Sequence, residues 1–273
     1  PQNRVDGIRV GNTNEYFGGI AEGESLYQVV AFKMKHIIRT PEQLAAAIYD
    51  SYSKGYNPDD GTTVKGRKNM GDYEWVNRPG TTKAVVNGEE VEQINSEDKF
   101  VIGYSVPHST GGLSNTFRYK GLSLNVYLDW AIGHTIRHAQ MARQFINTFT
   151  GNTALNAGVL DTWSPQNPDA KYARFYSGGE SISANFKNDS DVFAFKGDYL
   201  CIRELSLAWD LPKKFVSKLG MQGASITLAG NNLHYFTAVP GVSPEVGTMS
   251  TNAAGYNNYP PIRRISLGIK VIF

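Results

Sequence analysis

Two histidines, His134 and His138 in "HTIRH", stand four residues apart. On a helix that spacing turns both imidazoles to one side, where they could hold a zinc ion. A zinc hydrolase of the H-E-x-x-H kind also needs a glutamate directly after the first histidine as its general base. Here that position is Thr135, and the next carboxylate downstream is Asp161. Polar loop histidines are therefore a better reading than a metal centre. Cys201 is the single cysteine, so no internal disulfide can form; it falls in a strand-like stretch and reads as a small apolar side chain. There is no G-x-S-x-G, no P-loop and no dinucleotide-binding glycine fingerprint. With no nucleophile beside a base, the chain is not expected to be an enzyme.

A different chemistry is offered by aromatic rings in two long connections: Trp163, Tyr172, Phe175 and Tyr176 in one, Tyr256 and Tyr259 in the other, accompanied by Asn and Asp residues. Flat rings stack on sugar faces while amides bond the hydroxyls, which would make these residues a substrate-binding surface. The competing use of the same rings is to pack the loops into rigid lids or to cover a partner. Both uses stay open on the sequence alone.

What must position such groups is legible in the alternation of side chains. In "GLSLNVYLDWAIG", Leu122, Leu124, Val126, Leu128 and Trp130 form one face, and Ser123, Asn125, Tyr127 and Asp129 form the other. Period-2 alternation is a strand with one apolar and one polar side. "LSNTFRYK" before it is a partner strand with Leu113, Phe117 and Tyr119 on one face, joined through a tight turn at "YKG". "LCIRELSLAWDL" alternates at Leu205, Leu207, Trp209 and Leu211, but its earlier half slips phase, with Leu200 and Ile202 apolar and Arg203 after them, which points to a bulge or a rim position. "ASITLAGNNL" follows, and the chain closes on "RRISLGIKVIF", with Ile265, Leu267, Ile269, Val271 and Phe273 alternating. "SLYQVVAFKMKHII" is rich in strand formers but apolar on both sides, so its facing cannot be assigned.

Connections between these strands alternate between short and long. "YKG" is short, and so is "PKKFVSKLGMQG", where Pro212 and Gly220 frame about two turns of helix. Residues 39–107, 134–197 and 237–263 are long. The first is expected to hold a helix over "PEQLAAAIYDSYSKG", stopping at Gly55, and the second a helix around "RHAQMARQFINTF". No stretch reaches the roughly 18 consecutive apolar residues of a membrane-spanning helix. Strands with an apolar face, short turns and long loops instead match a transmembrane β-barrel. The lipid-facing residues would then be Leu122, Leu124, Val126, Leu128, Trp130, Leu205, Leu207, Trp209, Ile265, Leu267, Ile269 and Val271. A soluble β-sandwich also alternates, but rarely carries three such loops. The formal charge of +2 has no basic run behind it, so no nucleic-acid partner is expected.

Five blocks, in order and spacing, resemble the C-terminal part of the SusC/RagA family, the TonB-dependent outer-membrane transporters of Bacteroidetes. They are "PHSTGGLSNTFRYKGLSLNVYLDWAIGHTI", "LDTWSPQNPDAKYARF", "GDYLCIRELSLAWDLPKKFVSKLG", "ITLAGNNLHYFTAVPGVSPEV" and "YPPIRRISLGIKVIF". The resemblance implies an all-β fold, a transmembrane antiparallel β-barrel of about 22 strands of which residues 1–273 supply about the last eight. Long extracellular loops with short helices, and a plug domain and earlier strands elsewhere on the polypeptide, are implied as well. A small barrel closing on its own is the structural alternative.

The function implied is nutrient import across the outer membrane, with the C-terminus on the periplasmic side. Oligosaccharides or oligopeptides would be taken up with a SusD-like surface lipoprotein as partner and TonB, acting on the N-terminal region, as energy source. Phe273 would serve as a signal to the barrel-assembly machinery, and outer-membrane lipid would cover the apolar face. The rival is a non-transporting barrel acting as a structural, receptor or assembly partner. No cofactor is expected. Where many family members carry an Asp-rich, calcium-like segment, this chain reads "GDYEWVNRPGTTKAVVNGEEVEQINSEDKFVIG"; Asp72 survives but the dense D-x-[DN]-x-[DN]-G spacing does not. "NPDDG" at residues 57–61 reads as an exposed turn.

Overall fold

The computed structural model describes Gly23, Ser25 and residues 27–53, 65–80, 83–146, 157–175, 185, 189–245 and 261–273. They fall into two units. The described residues of unit 1 come from Pro1–Ser105 and Arg137–Phe195; those of unit 2 come from Val106–Ile136, Lys196–Thr248 and Asn257–Phe273.

Unit 1 is built from short strands around an aromatic core. β1 (Gln28–Phe32) pairs antiparallel with β7 (Lys99–Tyr104), and every residue of β1 is buried. Burial on both sides explains why this stretch shows no alternation. β2 (Met34–Ile37) pairs with β4 (Tyr73–Trp75). β3 (Tyr49–Asp50) runs parallel to β6 (Glu89–Ile94), which forms a hairpin with β5 (Lys83–Val86). Residues 39–107 are therefore not an open loop; they carry most of these strands.

Helix α1 (Pro41–Ala45) begins with a capping box: Gln43 N donates to Thr40 Oγ1 at 3.3 Å, and Thr40 N donates to Gln43 Oε1 at 3.2 Å. It ends ten residues before the expected stop at Gly55 (55 − 45). Alanine-rich helix propensity loses here to tertiary pairing, because Tyr49 and Asp50 leave to align with Gln93 and Ile94. Helix α2 (Ala139–Ile146) starts after His138, while His134 precedes the short strand β10 (Thr135–Arg137). The two histidines are thus not one turn apart on a helix. The third expected helix forms as α3 (Lys213–Val216), continues as a tighter turn to Leu219 and closes on Gly220 at φ +73°.

The core of unit 1 gathers Phe32, Tyr73, Trp75, Phe145, Trp163 and Phe193. Within it Lys68 Nζ and Glu74 Oε2 pair at 3.0 Å with side chains almost fully buried. A charge taken out of water in this way is tolerated only when paired.

Unit 2 is one antiparallel sheet of five long strands in the order β14-β13-β12-β9-β8. They are β8 (Ser109–Tyr119), β9 (Leu122–Ile132), β12 (Tyr199–Asp210), β13 (Gly223–Thr237) and β14 (Arg264–Ile272); β11 (Ala194–Lys196) precedes β12. β8 and β9 join through Lys120 (φ +46°) and Gly121 (φ +84°), a two-residue turn with both residues left-handed. Asp210 N donates to Gly121 O at 2.8 Å and ties that turn to the end of β12. The register of β12 shifts between Ile202 and Glu204 against both neighbours, so Arg203 is a bulged residue, one of the two alternatives that the phase slip allows. Both short connections and Phe273 lie at one end of the sheet, and the long connections leave from the other. Among the described residues no helix is long and apolar enough to cross a membrane.

Candidate functional site

The two faces of the five-stranded sheet are the feature with chemical meaning. Residues directly opposite one another in an antiparallel ladder share a face. Phe117, Leu124, Leu207, Leu228 and Leu267 therefore form one unbroken row across all five strands. The next row toward the short connections is Tyr119, Leu122, Trp209, Ile226 and Ile269. On the other side of the central row, Val126, Leu205 and Ile265 share a line with Asn115 and Gly230, and Leu128 opposes Leu113 and Ile202. Every residue assigned to the apolar face from the sequence lies on it, Trp130 opposite Leu200 and Val271 opposite Ala224. On the edge strand Ile265, Leu267 and Ile269 are each 69% exposed, apolar surface left open by the described residues. An apolar patch of this extent marks an interaction surface, for a membrane or for another protein.

Rings bound this face at both ends. Trp130 and Phe236 flank Leu200 at the long-connection end, and Tyr119 and Trp209 stand at the other. Gly111, opposite Trp130, makes room for the indole: a Cβ there would come within 2.3 Å of the ring. The eight steps from Leu122 to Trp130 span about 27 Å of strand. At a barrel tilt of 35–45° that is about 20 Å between the ring bands, close to the roughly 25 Å apolar belt of outer-membrane barrels.

The opposite face is polar. Thr116, Asn125, Ser206, Ala229 and Ser266 form its central row, and Thr116 Oγ1 lies 2.7 Å from Asn125 Oδ1. Above it, Tyr127, Glu204, Asn231 and Arg264 share a line. The bulge delivers Arg203 to this side. Its guanidinium grips Asp129 in two hydrogen bonds of 2.8 and 2.7 Å. It also donates to Asn232 Oδ1 at 2.8 Å and Tyr235 OH at 3.2 Å, and it pairs with Glu245 beyond the end of β13. Sequence reading allowed for the bulge but did not find this network, whose partners are 29 to 74 residues away along the chain. Cys201 is fully buried on the same side, opposite Asp129 and Tyr235. At the rim, Asp198 Oδ1 accepts from Gly133 N at 2.6 Å, and the buried His134 is held below the usual histidine pKa by burial, against the opposing pull of the Pro244 carbonyl and Asp198.

The loop aromatics take a different place. Trp163 and Tyr172 are buried in the core of unit 1, and Tyr172 packs on Phe145 at 4.8 Å between ring centres. Trp163 N donates to Tyr172 O at 2.8 Å, and Phe175 packs against the same core. Trp163 and Tyr172 thus pack the unit, with Phe175 partly buried beside them. Tyr176, Tyr256 and Tyr259 lie outside the described residues, as does the "NPDDG" turn. Asp72 is buried with its carboxylate engaged, accepting from Asn69 N at 2.7 Å and Asn185 Nδ2 at 2.9 Å. Among the described residues no group of three His, Cys, Asp or Glu is arranged to hold a metal ion.

No protein-family model matches the chain. TonB-dependent receptor P26 of Formosa agariphila is 30% identical over 197 residues, covering 68% of this chain and 19% of the relative. TonB-dependent receptor P3 of the same organism is 25% identical over 230 residues, covering 81% of this chain and 21% of the relative. The chain thus spans about a fifth of the length of the curated relatives it matches. Among solved structures, the RagAB peptide importer in its closed-closed state superposes with a TM-score of 0.64 at 18% identity, over 99% of this chain and 26% of that one. The RagAB peptide transporter gives 0.57 at 21% identity, over 80% and 24%. These likenesses establish the fold as part of a transporter barrel, and the relatives are named receptors and transporters rather than enzymes.

Proposed function

We propose that this chain, which belongs to the TonB-dependent transporters of the SusC/RagA type, forms a sector of barrel wall in an outer-membrane nutrient importer. Leu122, Leu124, Val126, Leu128, Trp130 and their counterparts on β12 and β14 face lipid; Asn125, Ser206, Glu204 and Arg203 face the lumen. The observation that carries this reading is the row Phe117-Leu124-Leu207-Leu228-Leu267, apolar across five strands while the row behind it is polar throughout except for Ala229. No catalytic step is required of such a wall. It keeps a polar passage out of contact with hydrocarbon and satisfies its backbone polar groups through strand pairing.

The cargo is an oligosaccharide or an oligopeptide, captured with a SusD-like surface lipoprotein and moved with energy delivered by TonB to a plug carried elsewhere on the polypeptide. The short connections and the C-terminus then lie on the periplasmic side and the long connections outside. Phe273, just past β14 at the short-connection end, is 83% exposed. The test is the intact mass of the polypeptide purified from outer membrane in detergent, with identification of what accompanies it. A chain several times heavier than 30.1 kDa together with a surface lipoprotein is expected. A lone species of that mass overturns the proposal.

A further inference from the structure

The connection between β12 and β13 has a chemistry that the barrel wall does not use. Its helix α3 anchors itself through Val216, 1% exposed, while Phe215 and Leu219 are 59% and 62% exposed. Lys213, Lys214 and Lys218 are exposed beside them, and residues 211–222 contain no acidic residue. The surroundings match. Lys120 stands in the other short connection with its ammonium 5.1 Å from the centre of the Tyr119 ring, and Lys270 lies opposite Ser225 near the end of β14. Asp210 is the acidic residue at the start of the connection. Lys270 stands on the polar face; the rings Tyr119, Trp209, Phe215 and Phe273 at this end of the sheet are interleaved with Lys120, Lys213, Lys214 and Lys218.

We propose that the 211–222 connection is an interfacial anchor that lies in the headgroup layer of the periplasmic leaflet, with Phe215 and Leu219 in the acyl boundary and Lys213, Lys214 and Lys218 on lipid phosphates. The inference rests on the lipid-facing reading of the sheet. Two observations select lipid over a protein partner. The exposed Phe215 and Leu219 follow on from the apolar face, whose last row, Trp209 with Ile226, is only a few residues away on either flank. The charge is also of one sign, complementary to phosphate, and each lysine held near an anionic surface strengthens association by about fivefold. Amphipathic segments with a Phe/Leu side and a lysine side are the kind that lie in an interface rather than across it.

Site-directed spin labelling of the full polypeptide in vesicles of phosphatidylethanolamine and phosphatidylglycerol tests this. Nitroxides are placed at Phe215→Cys and Leu219→Cys, with Leu267→Cys as the reference inside the apolar face; Cys201 is fully buried. Collisions with oxygen and with a water-soluble nickel chelate are then compared. Both connection labels should collide mainly with oxygen, at a depth shallower than the Leu267 label. Charge reversal at Lys213, Lys214 and Lys218 together should raise their nickel accessibility several-fold. Nickel-dominated collisions at Phe215 and Leu219 would place the connection in periplasmic water, and protection from both reagents would place it under protein; either result overturns the anchor. A nickel-dominated Leu267 label would instead remove the lipid-facing reading of the sheet, and the anchor with it.

Discussion

Leu124 and Leu207 lie directly opposite each other on neighbouring strands, and Leu267 stands in the same row two strands further on. On the adjoining residue of β14, Ser266 turns to the polar side, opposite Ala229. One step along the chain therefore separates the apolar face from the polar one, the side proposed to meet hydrocarbon from the side proposed to line the lumen. Leu267→Arg is expected to destabilise the barrel by about 2–4 kcal/mol and to abolish most insertion, whereas Ser266→Arg is expected to cost about 1 kcal/mol or less. Leu124→Arg should behave like Leu267→Arg. Folding of the full polypeptide into vesicles, followed by heat-modified gel mobility, measures both; equal tolerance of the two arginines would mean that the sheet does not face lipid.

Arg203 fixes the outer part of the polar face, joining Asp129 on β9, Asn232 and Tyr235 on β13 and Glu245 beyond it. Replacing it with Met keeps the stem but leaves two carboxylates without their cation. The expected loss is about 1–3 kcal/mol, since the pair is partly reached by solvent. Arg203→Met combined with Asp129→Asn should lose less than the sum of the single variants, by more than the roughly 0.5 kcal/mol scatter of independent sites. Denaturant unfolding of the four forms provides the cycle. Strict additivity would show that the contact carries no energy.

How much of this could be read in advance depended on whether the controlling contacts were local. The faces of β9 and β14 were legible because Leu122 to Trp130 and Ile265 to Val271 alternate without interruption. The bulge was legible as one of two alternatives because Arg203 breaks that phase, and the hairpin because Lys120-Gly121 is a two-residue turn. Unit 1 was not. β1 finds its partner about 70 residues downstream in β7, and β3 makes a parallel pairing with β6 more than 40 residues away. Pairings at that range leave no local periodicity, so residues 39–107 read as a loop and α1 read too long. Trp163 and Tyr172 were ambiguous for a related reason: a ring in a polar stretch looks the same whether it faces a ligand or a core, and only Phe145 and Gly71 packed against these two decide it.

Gly71 and Gly80 separate backbone strain from packing. Both have positive φ, +90° and +80°, but a Cβ at Gly71 would meet the Trp163 ring at 2.1 Å, while nothing lies within 4 Å of one at Gly80. Gly80→Ala should cost only the left-handed penalty, about 1–2 kcal/mol. Gly71→Ala adds overpacking against an indole in the core, a further 1–3 kcal/mol or so. Thermal unfolding monitored by tryptophan fluorescence compares them. Equal losses would show that the core around Trp163 relaxes freely.

His134 gives the outer rim of unit 2 a pH dependence whose sign can be worked out. Burial holds its pKa below the ordinary value of about 6.5, and the Pro244 carbonyl and Asp198 oppose that shift without reversing it. The unfolded chain therefore binds a proton at a higher pH than the folded chain does. Its contribution to stability is complete above pH 6.5 or so and is lost as pH falls toward the folded value, because protonation then favours the unfolded state. His36 in unit 1 is lowered as well, chiefly by burial, and acts in the same direction. Melting temperature should therefore fall between about pH 7 and pH 5. His134→Asn should flatten part of that slope, and the double variant with His36→Asn should flatten more. A wild-type slope retained in full by the double variant would move the pH dependence to the carboxylates, whose loss sets in at lower pH.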